Sequence, residues 1–301
     1  MRSRERTFTL GLKDPQRQEA PQWLRVSRWI GHAAVRRLTR QRYDGAVHFP
    51  PAPPECPAGW KTGPPSFVGV GGQRCGTTRW YDLISLHPEV VPPLVTKELD
   101  YFDRFYAGGF KAADATGYHA YFPRDGERKV GEWSPVYMSA PWVPRLLATA
   151  APDTRLLVLL RDPVERYLSG LEHNTRWAQE QGTALSELAP FEAFMRGFYY
   201  AQLRGLLAHF DRSQILVLQY ERCVSDPRTE LRRTFEFLGL KDTAFAPDLK
   251  AHPHLQPNKP TLDQNTKEGF VRAYRDDVVS LLESFPEIDG RLWPNFSHLA
   301  D

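Results

Sequence analysis

The stretch from Ser66 to Pro88 (SFVGVGGQRCGTTRWYDLISLHP) constrains the fold more than any other part of the chain. It begins with an apolar run typical of a buried strand, passes through a glycine-rich turn, and continues as a helix with its apolar residues on one face. This order brings backbone N–H groups and the positive end of a helix dipole to one point, where an anion can bind. Gly71, Gly72 and Gly76 let the backbone approach that anion closely. The sequence therefore predicts a phosphate-binding loop in an α/β fold.

The loop is close to that of an NTPase but lacks one essential residue. Gly71 and Gly76 have the spacing of the two glycines in the pattern G-x-x-x-x-G-K-[ST]. Thr77 stands where that pattern has lysine, and the cation of the loop is Arg74. An NTPase needs the lysine together with Mg²⁺ to neutralise a triphosphate. The loop thus favours a less charged ligand, while a nucleotide kinase or NTPase, and a turn without a ligand, remain as alternatives.

A second candidate anion site follows the most apolar strand of the chain. Residues 155–160 (RLLVLL) form a continuous apolar run, which is typical of a central parallel strand. Arg161 comes directly after it, and Asp162 and Pro163 suit the start of a helix. Ser169 lies two turns into that helix. An arginine and a serine in these positions can bind a second phosphate, although Arg161 can instead be half of a structural ion pair.

Between these two stretches lies a candidate general base. Val90 and Val91 predict a second strand, and Lys97 and Glu98 follow shortly after it. In open α/β sheets, ligands bind beyond the carboxyl ends of the strands. Glu98 is therefore positioned to accept a proton, with Lys97 beside it. The alternative is a solvated charge pair at the start of a helix.

The remaining pattern predicts strands alternating with helices. Further strands are expected within residues 129–137 and 214–220, and helices over about 141–150, 188–210, 227–239 and 266–283. Such alternation is typical of a mainly parallel sheet with right-handed crossovers. We therefore expect a P-loop-like, three-layer α/β/α fold.

The first 65 residues differ from the rest of the chain. Residues 23–42 form a basic amphipathic pattern, and residues 49–65 are rich in proline. We expect residues 1–65 to be an N-terminal extension and residues 66–301 to form the compact domain. The helix at 23–42 is a candidate for peripheral contact with a membrane or a partner, the alternative being that it packs on its own domain.

The overall charge and the cysteines narrow the class of protein. The 39 basic and 36 acidic residues give a net charge of only +3, which argues against a general nucleic-acid-binding protein. The three cysteines, Cys56, Cys75 and Cys223, are scattered and predict neither a zinc site nor a disulfide framework. Together with an arginine-, alanine- and proline-rich composition and no apolar run of about 18 residues, they predict a bacterial, cytoplasmic protein.

Four motifs of the chain resemble those of the sulfotransferases that use PAPS (3′-phosphoadenosine 5′-phosphosulfate). GGQRCGTT resembles the loop of that family that binds the 5′-phosphosulfate, and RDPVERYLSG resembles its motif for the 3′-phosphate. TKELDYFD and GEWSPVYM resemble the heparan-sulfate-type branch. The similarity covers about residues 66–240. It implies transfer of a sulfuryl group to a hydroxyl of a glycan, lipid or small natural product, leaving PAP, with no metal.

The resemblance also implies a role for individual residues. Arg74 falls where the branch commonly has a catalytic lysine, and Glu98 falls on the general base. The residues expected to bind the cofactor are Arg74, Cys75, Gly76, Thr77, Thr78, Arg161, Ser169, Tyr199 and Lys259. The residues expected near the acceptor are Lys97, Asp100, Glu132 and Trp133.

Three positions depart from the pattern of the branch. Arg74 replaces a lysine, Asp100 replaces a histidine that is frequent there, and Trp133 replaces a lysine of many glycan enzymes. The last two changes predict an acceptor site less cationic than a highly sulfated polysaccharide requires. They favour a neutral sugar, a lipid or an aromatic acceptor. A non-catalytic module that binds PAP or another nucleotide, docked through helix 23–42, is the remaining alternative.

Overall fold

The computed structural model describes residues 49–241, 245, 247, 249 and 261–299. The predictions for helix 23–42 and for Lys259 lie outside these residues. Within them, the chain forms a central four-stranded sheet and a separate two-stranded ribbon. The strands are β1 (Lys61–Thr62), β2 (Phe67–Gly71), β3 (Pro123–Arg124), β4 (Gly131–Trp133), β5 (Arg155–Leu160) and β6 (Ile215–Gln219).

The central sheet has the strand order β4-β2-β5-β6, and all neighbouring pairs are parallel. Helices connect and flank these strands, which confirms the predicted α/β fold with a parallel sheet. The helices are α1 (Thr77–Ser85), α2 (Ala112–His119), α3 (Val143–Ala150), α4 (Pro163–Glu180), α5 (Ala189–Met195), α6 (Tyr199–Leu207), α7 (Tyr220–Ser225), α8 (Pro227–Leu238) and α9 (Gln264–Ser284).

Both faces of the sheet are buried, because alternate residues of β5 enter different apolar clusters. Leu156 and Val158 belong to a cluster that also contains residues of α3, α6 and α9. Leu157 and Leu159 belong to a second cluster with residues of α1 and α8. Successive side chains of a strand point to opposite faces. A strand covered on both sides therefore has to be apolar throughout, as residues 155–160 are.

Three predicted elements differ from the structure. Val90 makes only a single parallel bridge with Lys129 instead of a strand, because the prolines at 92 and 93 have no N–H for a ladder. The strand expected within 129–137 is limited to β4. The helix expected over 188–210 is two helices, α5 and α6, separated at Gly197, where any side chain would collide with the ring of Tyr274.

The proline-rich arm contacts the domain where the structure describes it. β1 pairs with β3 in antiparallel register, and the hydroxyl of Tyr121 donates to the carbonyl of Pro51 at 2.5 Å. The division of the chain at Ser66 stays a prediction.

Candidate active site

The glycine-rich loop lies at the carboxyl end of β2 and leads into α1, as the sequence predicts. The amide of Gly72 donates to the carbonyl of Leu159 in β5 at 2.8 Å. Gly76 has a φ of +86°, and a Cβ there would lie 3.0 Å from the ring of Tyr220. Both glycines are therefore needed for backbone conformation and close packing. Thr77 at the start of α1 is buried, whereas Thr78 is exposed.

Arg74 links the loop to α4. Its Nε donates to the Oγ of Ser169 at 3.3 Å, and its Nη1 lies 3.5 Å from the Nδ1 of His173. Burial is the main cause that lowers the pKa of Arg74, but a guanidinium keeps its proton in proteins. The fold therefore brings the two predicted anion motifs, 95 residues apart in sequence, to one place with a cation between them.

The start of α4 is held in position by a buried carboxylate. Asp162 Oδ1 accepts from the amides of Val164 and Glu165 at 2.9 and 3.2 Å. The amide of Asn295 donates to Asp162 Oδ2 at 3.0 Å, which fixes the C-terminal segment to the same point. Burial raises the pKa of Asp162, and its hydrogen bonds oppose that effect. The sequence predicts the cap but not the partner 133 residues away.

Arg161 occupies the carboxyl end of β5 beside this cap. Its Nη2 lies 3.9 Å from Glu165 Oε2, and its guanidinium lies 4.7 Å from the ring centre of Tyr220. An ion pair at this separation is weak. Arg161 therefore pairs weakly with Glu165 and still lies at the carboxyl end of a strand, where ligands of such sheets bind. A structural ion pair and a role in binding phosphate are compatible.

Glu98 lies on an irregular segment with unusual backbone geometry. Its φ is +69° and that of Asp100 is +45°, a region that residues with a Cβ rarely adopt. The side chain of Glu98 is 47% exposed, and its Oε1 lies 2.5 Å from the Nζ of Lys97. The amide of Asp100 donates to the Oγ of Ser134 at 3.1 Å. Backbone strain of this kind is concentrated at functional sites.

His173 is a site residue that the sequence reasoning missed. Burial, followed by the charges of Arg74 and Arg176, lowers the pKa of its imidazole, and the charge of Glu98 opposes this effect. The imidazole therefore contacts Arg74, the predicted cation of the loop. Its position one helical turn after Ser169 is the signal that would have identified it, because residues four apart share a helix face.

Tyr199 and Cys75 form a buried contact beneath the surface of the loop. The hydroxyl of Tyr199 donates to the carbonyl of Arg161 at 2.8 Å and lies 4.0 Å from the Sγ of Cys75. Both side chains are buried, and burial raises the pKa of the Cys75 thiol to about 11. This thiol is not a nucleophile near neutral pH. The two residues connect the two anion motifs without reaching solvent.

A second connection that the sequence did not reveal runs from the loop to α5. The guanidinium of Arg196, just after α5, donates to the Oε1 of Gln73 and lies 3.9 Å from Glu192. Neither residue belongs to a spacing pattern that indicates the contact.

Among the residues that the structure describes, no group of three or more His, Cys, Asp or Glu side chains is arranged to hold a metal ion.

Glu132 and Trp133 require a correction, since the structure does not place their side chains at an acceptor surface. Trp133 is fully buried, and its Nε1 donates to the carbonyl of Gly71 at 3.1 Å. Glu132 is buried and accepts from Tyr118, Ser134 and Tyr137 at 2.6, 2.7 and 3.1 Å. Glu132 and Trp133 are the two buried residues of the edge strand β4, so both support the loop and its surroundings from inside the domain.

The buried Glu132 makes stability depend on pH. Burial raises its pKa from 4.5 to about 7, so the native state keeps a proton that the unfolded chain has lost. The stability from this group is therefore greatest below pH 4.5 and falls as the pH rises through 7. Glutamine does not ionise, so the advantage of Glu132→Gln over wild type should grow as the pH rises from 4.5 to about 7. We expect it to reach up to ~3 kcal/mol.

Denaturant unfolding of both proteins at about pH 5 and about pH 8 measures the difference. Glu127→Gln is the matched control, because Glu127 is exposed and should leave the pH dependence unchanged. A Glu132→Gln variant whose pH dependence equals that of wild type would show that this carboxyl is ionised in the fold.

The chain belongs to the sulfotransferase family, since the model of the sulfotransferase domain matches residues 64–259. Human heparan sulfate glucosamine 3-O-sulfotransferase 6 is 32% identical over 212 residues, which cover 66% of this chain and 59% of that protein. The crystal structure of a sulfotransferase from Alicyclobacillus acidocaldarius is 25% identical and superposes with a TM-score of 0.57, covering 74% of this chain and 96% of that one. The chain spans about half the length of the curated heparan sulfate relatives that it matches.

The relatives correct the expected cytoplasmic location. The membrane-associated sulfotransferase kil1 of Dictyostelium discoideum is 32% identical over 113 residues, or 38% of this chain and 24% of that protein. This relative and the heparan sulfate enzymes do not support a cytoplasmic protein, and cysteine count and composition were too weak a basis for that expectation. No helix in the described part of the chain has the length and apolarity needed to cross a membrane.

Proposed function

We propose that the chain transfers a sulfuryl group from PAPS to a hydroxyl of an acceptor and leaves PAP. The observation that carries this proposal is the contact of Arg74 with Ser169 and His173. It joins the glycine-rich loop to α4, whose first turns carry the second anion motif, so a ligand with two phosphate-bearing ends can be held at both. Family membership favours sulfuryl transfer over the NTPase alternative.

In the proposed arrangement the loop amides and the N-terminus of α1 bind the 5′-phosphosulfate. Arg161 and Ser169 bind the 3′-phosphate. Thr77 and Thr78 add hydroxyl donors at the loop. Tyr199 and Cys75 act indirectly, because their buried side chains hold the loop against the end of β5. Lys259 keeps only the role implied by resemblance.

The reaction requires a base on the acceptor side and positive charge on the donor side. Glu98 takes the proton of the acceptor hydroxyl as its oxygen attacks sulfur, and the bond between sulfur and the phosphate oxygen of PAPS breaks. Arg74 and the loop amides stabilise the charge that develops on the sulfuryl group and on the departing phosphate. The Nζ of Lys97 donates to the Oε1 of Glu98 and so holds the carboxylate in position. The protein supplies no metal in this scheme.

We propose a glycan as the acceptor, because several of the curated relatives are named for heparan sulfate glucosamine. The test is incubation with ³⁵S-labelled PAPS and a panel of hydroxylated glycans, lipids and phenols, with mass spectrometry of the products. The proposal requires a sulfated product and an equal amount of PAP. Tight PAP binding without any product would instead support the non-catalytic nucleotide-binding module.

A further inference from the structure

A buried carboxylate is connected by hydrogen bonds to the segment that carries Glu98. Glu132 accepts from three hydroxyl groups, which belong to Tyr118, Ser134 and Tyr137, and all four side chains are buried. An ionised carboxylate only accepts hydrogen bonds, whereas a hydroxyl has one proton and two lone pairs. A hydroxyl that gives its proton to Glu132 therefore presents its lone pairs to other donors.

Two of these hydroxyls accept from the backbone of that segment. The amide of Asp100 donates to the Oγ of Ser134 at 3.1 Å. The amide of Tyr101 donates to the hydroxyl of Tyr137 at 2.9 Å. Two chains of hydrogen bonds thus run from consecutive amides, through one hydroxyl each, to the single carboxylate of Glu132. The carboxylate fixes the direction of both hydroxyls, so that each can accept from its amide.

The segment needs such anchors, because its backbone conformation is unfavourable by itself. Glu98 and Asp100 have φ values of +69° and +45°, which residues with a Cβ rarely adopt. A conformation of this kind persists only where the surrounding structure holds it. The buried side chain of Leu99 and the amides of Asp100 and Tyr101 provide that hold. The backbone angles of Glu98 in turn decide where its carboxylate is presented.

We propose that Ser134 and Tyr137 are positioning residues for Glu98. They hold its backbone through the amides of Asp100 and Tyr101. This inference rests on the proposed function, in which Glu98 is the general base. A general base must lie within hydrogen-bonding distance of the proton that it takes, and a small misplacement of a catalytic group greatly reduces the rate. Both positioning residues are buried, so they act through the backbone and not on the acceptor.

Tyr137→Phe and Tyr118→Phe form a matched pair of variants. Each removes a buried hydroxyl that donates to the Oε1 of Glu132, but only Tyr137→Phe removes the acceptor of an amide in the segment. The assay is run at about pH 8, where Glu132, with its pKa of about 7, is mostly ionised. We expect Tyr137→Phe and Ser134→Ala to lower kcat by about 10–100-fold. Tyr118→Phe should stay within about twofold of wild type, and all three variants should bind PAP with wild-type affinity.

Two further measurements separate positioning from a general loss of structure. In a Glu98→Gln background, which lacks the base, Tyr137→Phe should cause no further loss of kcat. Hydrogen exchange reports on the anchor without any reaction. The amide of Tyr101 should exchange about tenfold faster in Tyr137→Phe than in wild type, and at the wild-type rate in Tyr118→Phe. Denaturant unfolding compares the stability of the variants.

Three results would overturn the proposal. These are equal kcat values for Tyr137→Phe and Tyr118→Phe, a loss in Tyr137→Phe that adds fully to that of Glu98→Gln, and unchanged exchange at the amide of Tyr101 in Tyr137→Phe. A wild-type protein that transfers no sulfate from PAPS would instead contradict the proposed function. Hydrogen exchange would then still decide whether these hydroxyls hold the segment.

Discussion

Replacing Glu98 by glutamine is expected to reduce kcat by about 10²–10⁴-fold, the usual contribution of general base catalysis. Glutamine has nearly the same shape and can still accept a hydrogen bond from Lys97, which lies 2.5 Å away in wild type. It cannot take the proton of the acceptor. Because the amide keeps the contacts of the segment, the affinity for PAP should stay within about twofold of wild type, as for a change felt only in the transition state.

The measurement is steady-state sulfate transfer on a verified acceptor, together with PAP binding by calorimetry. Glu187→Gln provides a control at an exposed carboxylate in the loop between α4 and α5. Full activity of Glu98→Gln would mean that Glu98 is not the general base. Its positive φ and its ion pair with Lys97 would then serve only the fold.

Replacing Arg74 separates the effect of charge from that of geometry. Alanine removes the only cation of the glycine-rich loop, and we expect kcat to fall by about 10²–10³-fold. Lysine restores the charge as a single ammonium on a flexible stem. It can replace only one of the two contacts that the guanidinium makes with Ser169 and His173. We therefore expect Arg74→Lys to be intermediate, recovering about tenfold over alanine.

Kinetics of the two variants at saturating PAPS provide the comparison. If charge alone matters, Arg74→Lys will have nearly wild-type kcat, and the contacts with α4 are then incidental to the reaction. If Arg74→Ala keeps wild-type kcat, the cation has no part in stabilising the sulfuryl group. Arg79→Ala is a useful control, because Arg79 is a neighbouring arginine on α1 whose guanidinium donates to the carbonyl of Leu249.

The strand, loop and helix at residues 66–88 could be predicted because each step has a local physical cause. An apolar run forms the buried strand, glycines permit the turn, and an amphipathic pattern forms α1. The same is true of β5 and the capped start of α4, where Asp162 bonds to the first amides of the helix. Local rules also placed the carboxyl ends of these strands together, since the sheet is parallel.

The remainder of the site depends on contacts that sequence spacing does not encode. Spacing places His173 on the same helix face as Ser169, but its partner Arg74 is 99 residues away. Arg196 contacts Gln73, which is 123 residues away. The position of a motif predicts Trp133 near the acceptor, but its ring is buried against Gly69 and its Nε1 donates to the carbonyl of Gly71. Motif order thus predicts the two anion sites, while only the structure shows which motif residues are buried.

The central claim, that the loop and the start of α4 together bind PAPS, is tested most directly by calorimetric titration with PAP in the absence of Mg²⁺. We predict one molecule of PAP bound per chain, with affinity lost in the double variant Arg161→Ala/Ser169→Ala and kept in Glu98→Gln. A protein that fails to bind PAP, but binds ATP when Mg²⁺ is added, would contradict this account.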